Sequence, residues 1–130
     1  MAWVEVFAVF VVCHQVGDYL VQTDWQATNK RGGLGPNPEA RRALTAHIFS
    51  YTLAFTPVFV WLAGRIGTGL VPVIALITVP HLIQDDGRLL RVYIAKVKGV
   101  DAADNPSVFA PVDQAFHWVA LLLVALLAGS

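Results

Sequence analysis

The chain has 130 residues, one cysteine, nine basic and nine acidic residues, and no formal net charge. Hydrophobic residues make up 56% and charged ones 14%, against roughly 25% charged in a soluble globular domain, so the composition points to lipid. Its length suits one domain over 1–130, the lone Cys13 excludes an intramolecular disulfide, and a balanced charge gives no footing for a nucleic-acid partner.

The expected architecture is all-α: a four-transmembrane-helix bundle with an interfacial amphipathic helix between the third and fourth spans. A soluble bundle with a rich core is the rival. The first span covers about 2–23 and is read as a retained helix rather than a cleaved signal. Glu5 stands where a positive n-region would be, and His14–Asp18 interrupts the apolar run. A polar loop, DWQATNKRGGLGPN, follows. The second span, about 38–63, opens with Asn37 as N-cap and Pro38 in the first turn. The third, about 67–85, carries Pro72 and Pro80, which predict a kinked or locally broken helix. From about 88 to 98, Leu89, Leu90, Tyr93 and Val97 share one face and Arg88, Arg91 and Lys98 the other, as in an interfacial helix. DAADNPS reads as loop, and the fourth span covers about 111–128.

Eight of the nine basic residues fall at one end of this arrangement, and only Arg65 falls at the other. The positive-inside rule makes the basic end cytoplasmic, with both termini outside, in a cytoplasmic (inner) membrane.

Every expected span carries one histidine, and alternating directions bring His14, His47, His81 and His117 to the cytoplasmic half. Asp18 follows His14 by four residues, Asp85 follows His81 by four, and Asp113 precedes His117 by four. Residues four apart on a helix share a face. Asp86 is turned about 140° from His81 and falls outside the set. Polar and charged groups are costly in hydrocarbon unless paired, and imidazoles with carboxylates suit Zn, Fe or Mn. The seven residues His14, Asp18, His47, His81, Asp85, Asp113 and His117 are therefore candidate ligands for one or two divalent ions. Gln22, Tyr51, Gln84 and Gln114 are candidates to orient them. A metal-free polar or proton-transfer network is the competing reading.

The strings HQVGDYLVQTDWQATNK, HLIQDDGR and DQAFH, with His47 and Tyr51 between them, resemble DUF3307, a family of small bacterial and phage multi-pass membrane proteins of unknown function. The resemblance covers nearly the whole chain and is anchored on His14, Asp18, Gln22, Lys30, His47, His81, Asp85, Asp113, Gln114 and His117. Arg88 stands where the family has lysine, which keeps the charge but not the amine. The resemblance implies a multi-pass membrane protein and no particular reaction.

The expected function is a membrane-embedded metal-dependent hydrolase acting on an amphiphilic or lipid substrate at the cytoplasmic leaflet. One of Asp18, Asp85 and Asp113 would serve as base rather than ligand. Lys30, Arg31, Arg41, Arg42, Arg88 and Arg91 would attract an anionic head group. The alternative is a non-catalytic, metal-stabilised accessory subunit of a homo-oligomer or larger membrane complex, or a metal or proton carrier. The apolar outer halves of the second and fourth spans speak against a carrier. No Gly-rich phosphate loop, Gly-x-Ser-x-Gly or HExxH supports a soluble enzyme.

Overall fold

The computed structural model describes residues 2–130; Met1 of the expected domain lies outside them. The described residues are all-α, with no strand among them. Helix α1 (Trp3–Gln15) runs directly into a π-helical segment, Val16–Val21. Gly17 lies in that segment against the Tyr51 ring, where an added Cβ would come within 2.6 Å of Tyr51 Cδ2.

Helix α2 (Asp24–Asn29) occupies the start of the stretch expected as loop. Its cause is a capping box: Gln26 N donates to Thr23 Oγ1 (3.2 Å) and Thr23 N donates to Gln26 Oε1 (3.0 Å). The T-D-W-Q sequence carries that signal. Asn37 caps α3 (Pro38–Ala54) as expected, with Oδ1 accepting from Glu39 N and Ala40 N. Helix α4 (Thr56–Ile66) continues after Phe55. The break between them follows from Pro57, which has no N–H for the carbonyl of Leu53.

Gly67 has φ +52 and opens a 3-10 turn, Gly67–Gly69, after which α5 (Leu70–Asp86) begins. Thr52 meets Thr78 (3.3 Å) and His47 meets His81 (3.1 Å), so α5 runs antiparallel to α3. Helix α5 is unbroken through Pro80, so the expected local break does not occur. Gly87, at φ +80, ends it in the left-handed conformation that favours glycine. Helix α6 (Arg88–Tyr93) follows and passes into π form over Ile94–Lys98. It buries Leu90 and Ile94 against Ala102, Val108, Phe109 and Val112, while Leu89 and Val97 of the expected apolar face stay exposed. Helix α7 (Pro106–Ala128) starts five residues before Pro111, inside the expected loop.

Three stretches are long and apolar enough to cross a membrane: Trp3–Val21, Thr56–Asp86 and Pro106–Ala128. The middle one is bent back on itself at Gly67. The expected second span is not among them as a unit, because the helix is interrupted at Phe55 and α3 carries Glu39, Arg41 and Arg42 in its first half. Large apolar side chains such as Leu20, Phe49, Val60, Val71 and Leu127 are exposed on the outer faces, which suits a membrane protein.

In cross-section α1 packs on α7, α7 on α5, α5 on α3, and α3 on the π segment that extends α1. The apolar core formed by Phe10, Phe55, Leu62, Ile77, Leu121 and Val124 fills one end of the bundle. Tyr51 stands at its boundary, with its ring beside Phe55 on one side and stacked on His81 on the other.

Gly17→Ala is expected to destabilise the protein by about 1–3 kcal/mol through overpacking against Tyr51. Combined with Tyr51→Ala it should cost less than the sum of the single changes. Thermal unfolding of the four proteins in detergent measures this, and strict additivity would count against the packing account.

Candidate metal centre

All four histidines and the three expected aspartates are buried, and they lie together at the end of the bundle where α2 and the Gly-rich loop cross α5. Four donor atoms converge. His47 Nε2 lies 3.1 Å from His81 Nε2, 3.1 Å from Asp18 Oδ1 and 2.8 Å from Asp85 Oδ2. His81 Nε2 lies 3.3 Å from Asp18 Oδ1 and 3.1 Å from Asp85 Oδ2. Five of the six edges of a tetrahedron are thus near 3.1 Å. A regular tetrahedron with that edge has its centre roughly 1.9 Å from each corner, close to the bond lengths of about 2.0–2.1 Å that imidazole and carboxylate make to zinc.

Protons alone fit this geometry poorly. Each Nε2 carries at most one hydrogen, yet each faces two carboxylate oxygens and another imidazole nitrogen. A cation at the centre satisfies all four lone pairs at once.

A second group shares Asp85: with Asp113 and His117 it forms a three-residue set able to hold an ion. His117 Nδ1 donates to the Asp113 backbone carbonyl (2.7 Å), which leaves Nε2 as the free lone pair, 3.3 Å from Asp85 Oδ1. Asp85 Oδ1, Asp113 Oδ1 and His117 Nε2 are buried and find no hydrogen-bond partner among the described residues. Asp85 therefore turns one oxygen to each group, as a bridging carboxylate would.

The other expected residues take distinct places. His14 belongs to neither group: Tyr51 Oη donates to its Nδ1 (3.1 Å) and its Nε2 donates to Gln114 Oε1 (2.9 Å). With both ring nitrogens occupied, it packs beside His81 and His117 as a positioning residue. Tyr51 also stacks on His81 with ring centroids 3.5 Å apart. That contact orients a ring whose Nδ1 has no partner among the described residues. Gln84 turns away and donates to the Phe116 carbonyl. Gln22 accepts from Lys30 and donates to the Asp18 carbonyl.

Lys30, expected at the head-group surface, is buried and donates to Asp85 Oδ2 (2.8 Å) and Gln22 Oε1 (2.6 Å). Helix α2 delivers it there. Gln22, Gln26 and Lys30 recur every four residues, and this was the sequence signal for its direction. Arg88 pairs with Asp86 (2.7 Å), and Arg41 donates to the Gly35 carbonyl. Arg31 lies over the Phe109 ring, 4.0 Å from its centroid. Arg42 and Arg91 are exposed. Asp86 stays outside the donor groups, as its position on the helix predicts. Its buried carboxylate instead accepts from Leu34 N (2.8 Å) and holds the Gly-rich loop against α5.

A cavity of about 180 Å³ reaches this cluster from the side. Asp18, Gln22, Lys30, Arg31, Asp113 and Gln114 are among its walls. The residues that shape it run from the first helix to the last. The family model for a protein of unknown function, DUF3307, matches residues 6–130. The chain belongs to the DUF3307 family. No curated protein and no solved structure matches it. Membership in DUF3307 therefore brings no reaction with it, and the chemistry of this DUF3307 chain has to be argued from the donor groups themselves.

Asp86→Asn should loosen the loop by removing a charge-assisted bond worth about 1.5–3 kcal/mol. Trypsin cleavage at Arg31 in detergent is expected to accelerate several-fold. The exposed Asp24→Asn control should leave it unchanged, and equal rates in both variants would refute the pinning role.

Proposed function

We propose that this DUF3307 protein is a membrane-embedded metalloprotein that hydrolyses an amphiphilic ester at the cytoplasmic leaflet. The observation that carries the reading is the pair of donor groups joined through Asp85, one with four protein donors and one with three. Four donors fill a tetrahedral ion, whereas three leave a position open to water or substrate. The second group lies at the cavity, since Asp113 is part of its wall. A divalent ion such as Zn, Fe or Mn, when bound, supplies positive charge that polarises an ester and acidifies a water.

The chain's own residues supply the rest. Two of the three ammonium hydrogens of Lys30 are used on Asp85 and Gln22, and the third is free to meet an anionic group in the cavity. Arg31 stands in the same wall and adds a second cation. Asp113 contributes one oxygen to the three-donor group, and its other oxygen is left to take a proton from the attacking water and return it to the leaving oxygen. Hydrolysis then joins the water oxygen to the acyl or phosphoryl centre, breaks the ester bond and releases an alcohol. A closed four-donor group taken alone also favours the second reading, a non-catalytic accessory subunit stabilised by metal.

The proposal includes four crossings: α1 with its π extension, α3 with α4, α5, and α7, with α6 lying at the interface. Support comes from the reversal at Gly67 and from the eight basic residues at the end opposite Arg65, the end where the loop after Lys30 meets Asp86. By the positive-inside rule the proposal has that end facing the cytoplasm and both termini outside.

Two measurements test this. Protein purified without chelator and supplied with zinc, iron or manganese should hold one or two equivalents by elemental analysis. Asp85→Asn should weaken binding at both groups by more than the roughly 10–100-fold that loss of an outer-shell partner of a ligand costs. His117→Gln should spare the four-donor group. Wild-type protein that retains no metal would sink both the enzyme and the accessory-subunit readings. For topology, single cysteines replacing Arg65 and Lys96 in a Cys13→Ala background should label from outside and inside respectively, and the reverse pattern would overturn the orientation.

A further inference from the structure

On the other side of Asp113 lies a second, partly enclosed cavity of about 260 Å³, between the end of α5, α6 and the start of α7. Its walls are Ile83, Leu89, Leu90, Tyr93 and Phe116, with Gln84 tied across to the Phe116 carbonyl. Tyr93 and Phe116 meet edge to face, ring centroids 4.9 Å apart, and form one side. The surface inside is almost wholly apolar, and its one charged group is Asp113. Asp113 also belongs to the wall of the cationic cavity. The two spaces therefore meet at one carboxylate, one lined by Lys30 and Arg31 and the other by hydrocarbon and aromatic rings. Ile83, Leu89, Tyr93 and Phe116 at the rim are each at least 36% exposed, so the groove opens sideways at the depth of the donor groups.

We propose that this groove holds the single hydrocarbon chain of the substrate, whose phosphate-type head lies against Lys30 and Arg31; this deepens the hydrolase reading and rests on it. Charge complementarity chooses the head. Three buried carboxylates (Asp18, Asp85, Asp113) and one buried ammonium leave two negative charges, which one divalent ion cancels. A second ion then favours arrival of an anion, and a phosphate monoester brings that charge together with an ester oxygen to be released. Water's oxygen becomes bonded to phosphorus, the P–O bond to the chain breaks, and the chain leaves as an alcohol after taking up a proton. The apolar groove chooses the tail, because a short polar alcohol would leave its walls without a contact.

The test uses the full chain in detergent micelles with zinc and a dodecyl phosphate bearing a diazirine near the chain end. Irradiation is expected to label Leu89, Tyr93 or Phe116. Ile83→Trp, which fills the groove, should cut that labelling about tenfold, and so should Leu89→Glu, a change at an exposed position compatible with folding. Arg31→Ala should weaken capture of this probe but not of a neutral dodecyl diazirine. Labelling confined to other faces, indifference to both groove variants, or equal labelling by the neutral probe (the sign of a bilayer lipid) would overturn the proposal. Zinc content is measured in the same samples. Zinc retained without groove labelling defeats the chain site alone, and groove labelling without zinc defeats the metal reading alone.

Discussion

The carboxylate of Asp85 is where the bundle is tied together. Lys30 from the end of α2, His47 from α3, His81 from its own helix and His117 from α7 all come within 3.3 Å of its two oxygens. A buried carboxylate with no partner would cost several kcal/mol. The helices are therefore held by the need to keep this one charge compensated as much as by the apolar core beneath it. All four share the two oxygens of one carboxylate, so their contributions are coupled rather than independent.

The scaffold around Asp85 is arranged to keep these groups at that distance. Gly17 lets the Tyr51 ring approach the first helix, and Tyr51 in turn fixes the plane of His81 by stacking and the tautomer of His14 by donating to it. The π segment through Asp18 departs from α-helical spacing just where that carboxylate must reach His47 and His81 across the bundle. Such bulges are frequent at functional sites. Asp86, one residue from Asp85, faces a different side and binds the loop that follows Lys30. Adjacent aspartates thus serve two ends, the buried donor cluster and loop closure, because a helix turns them about 100° apart.

A polar layer inside apolar helices is coherent only if its lone pairs meet positive charge. Lys30 supplies one such charge from the chain, and the convergence of four donor atoms near 3.1 Å marks where a further cation fits. The cavity beside Asp113 is the feature that supports the hydrolase proposal over a sealed structural site. It gives the three-donor group a route to the surroundings, which a purely stabilising ion would not need.

The sequence by itself determined the helical class, the Asn37 cap, the depth shared by the four histidines and the pairing of His81 with Asp85 rather than Asp86. These follow from periodicity and local hydrogen bonding, which act over a few residues. It also carried signals that a composition-led reading passes over: T-D-W-Q announces α2, and the four-residue steps from Gln22 to Lys30 set that lysine's direction. Only the tertiary structure decided that Lys30 turns inward to Asp85, that His14 gives both nitrogens to Tyr51 and Gln114, and that Asp85 faces two donor groups. Those outcomes depend on which side chains from distant segments reach a shared point first. Helical spacing says which face a residue occupies, but hydrogen-bond competition across helices decides which partner it meets.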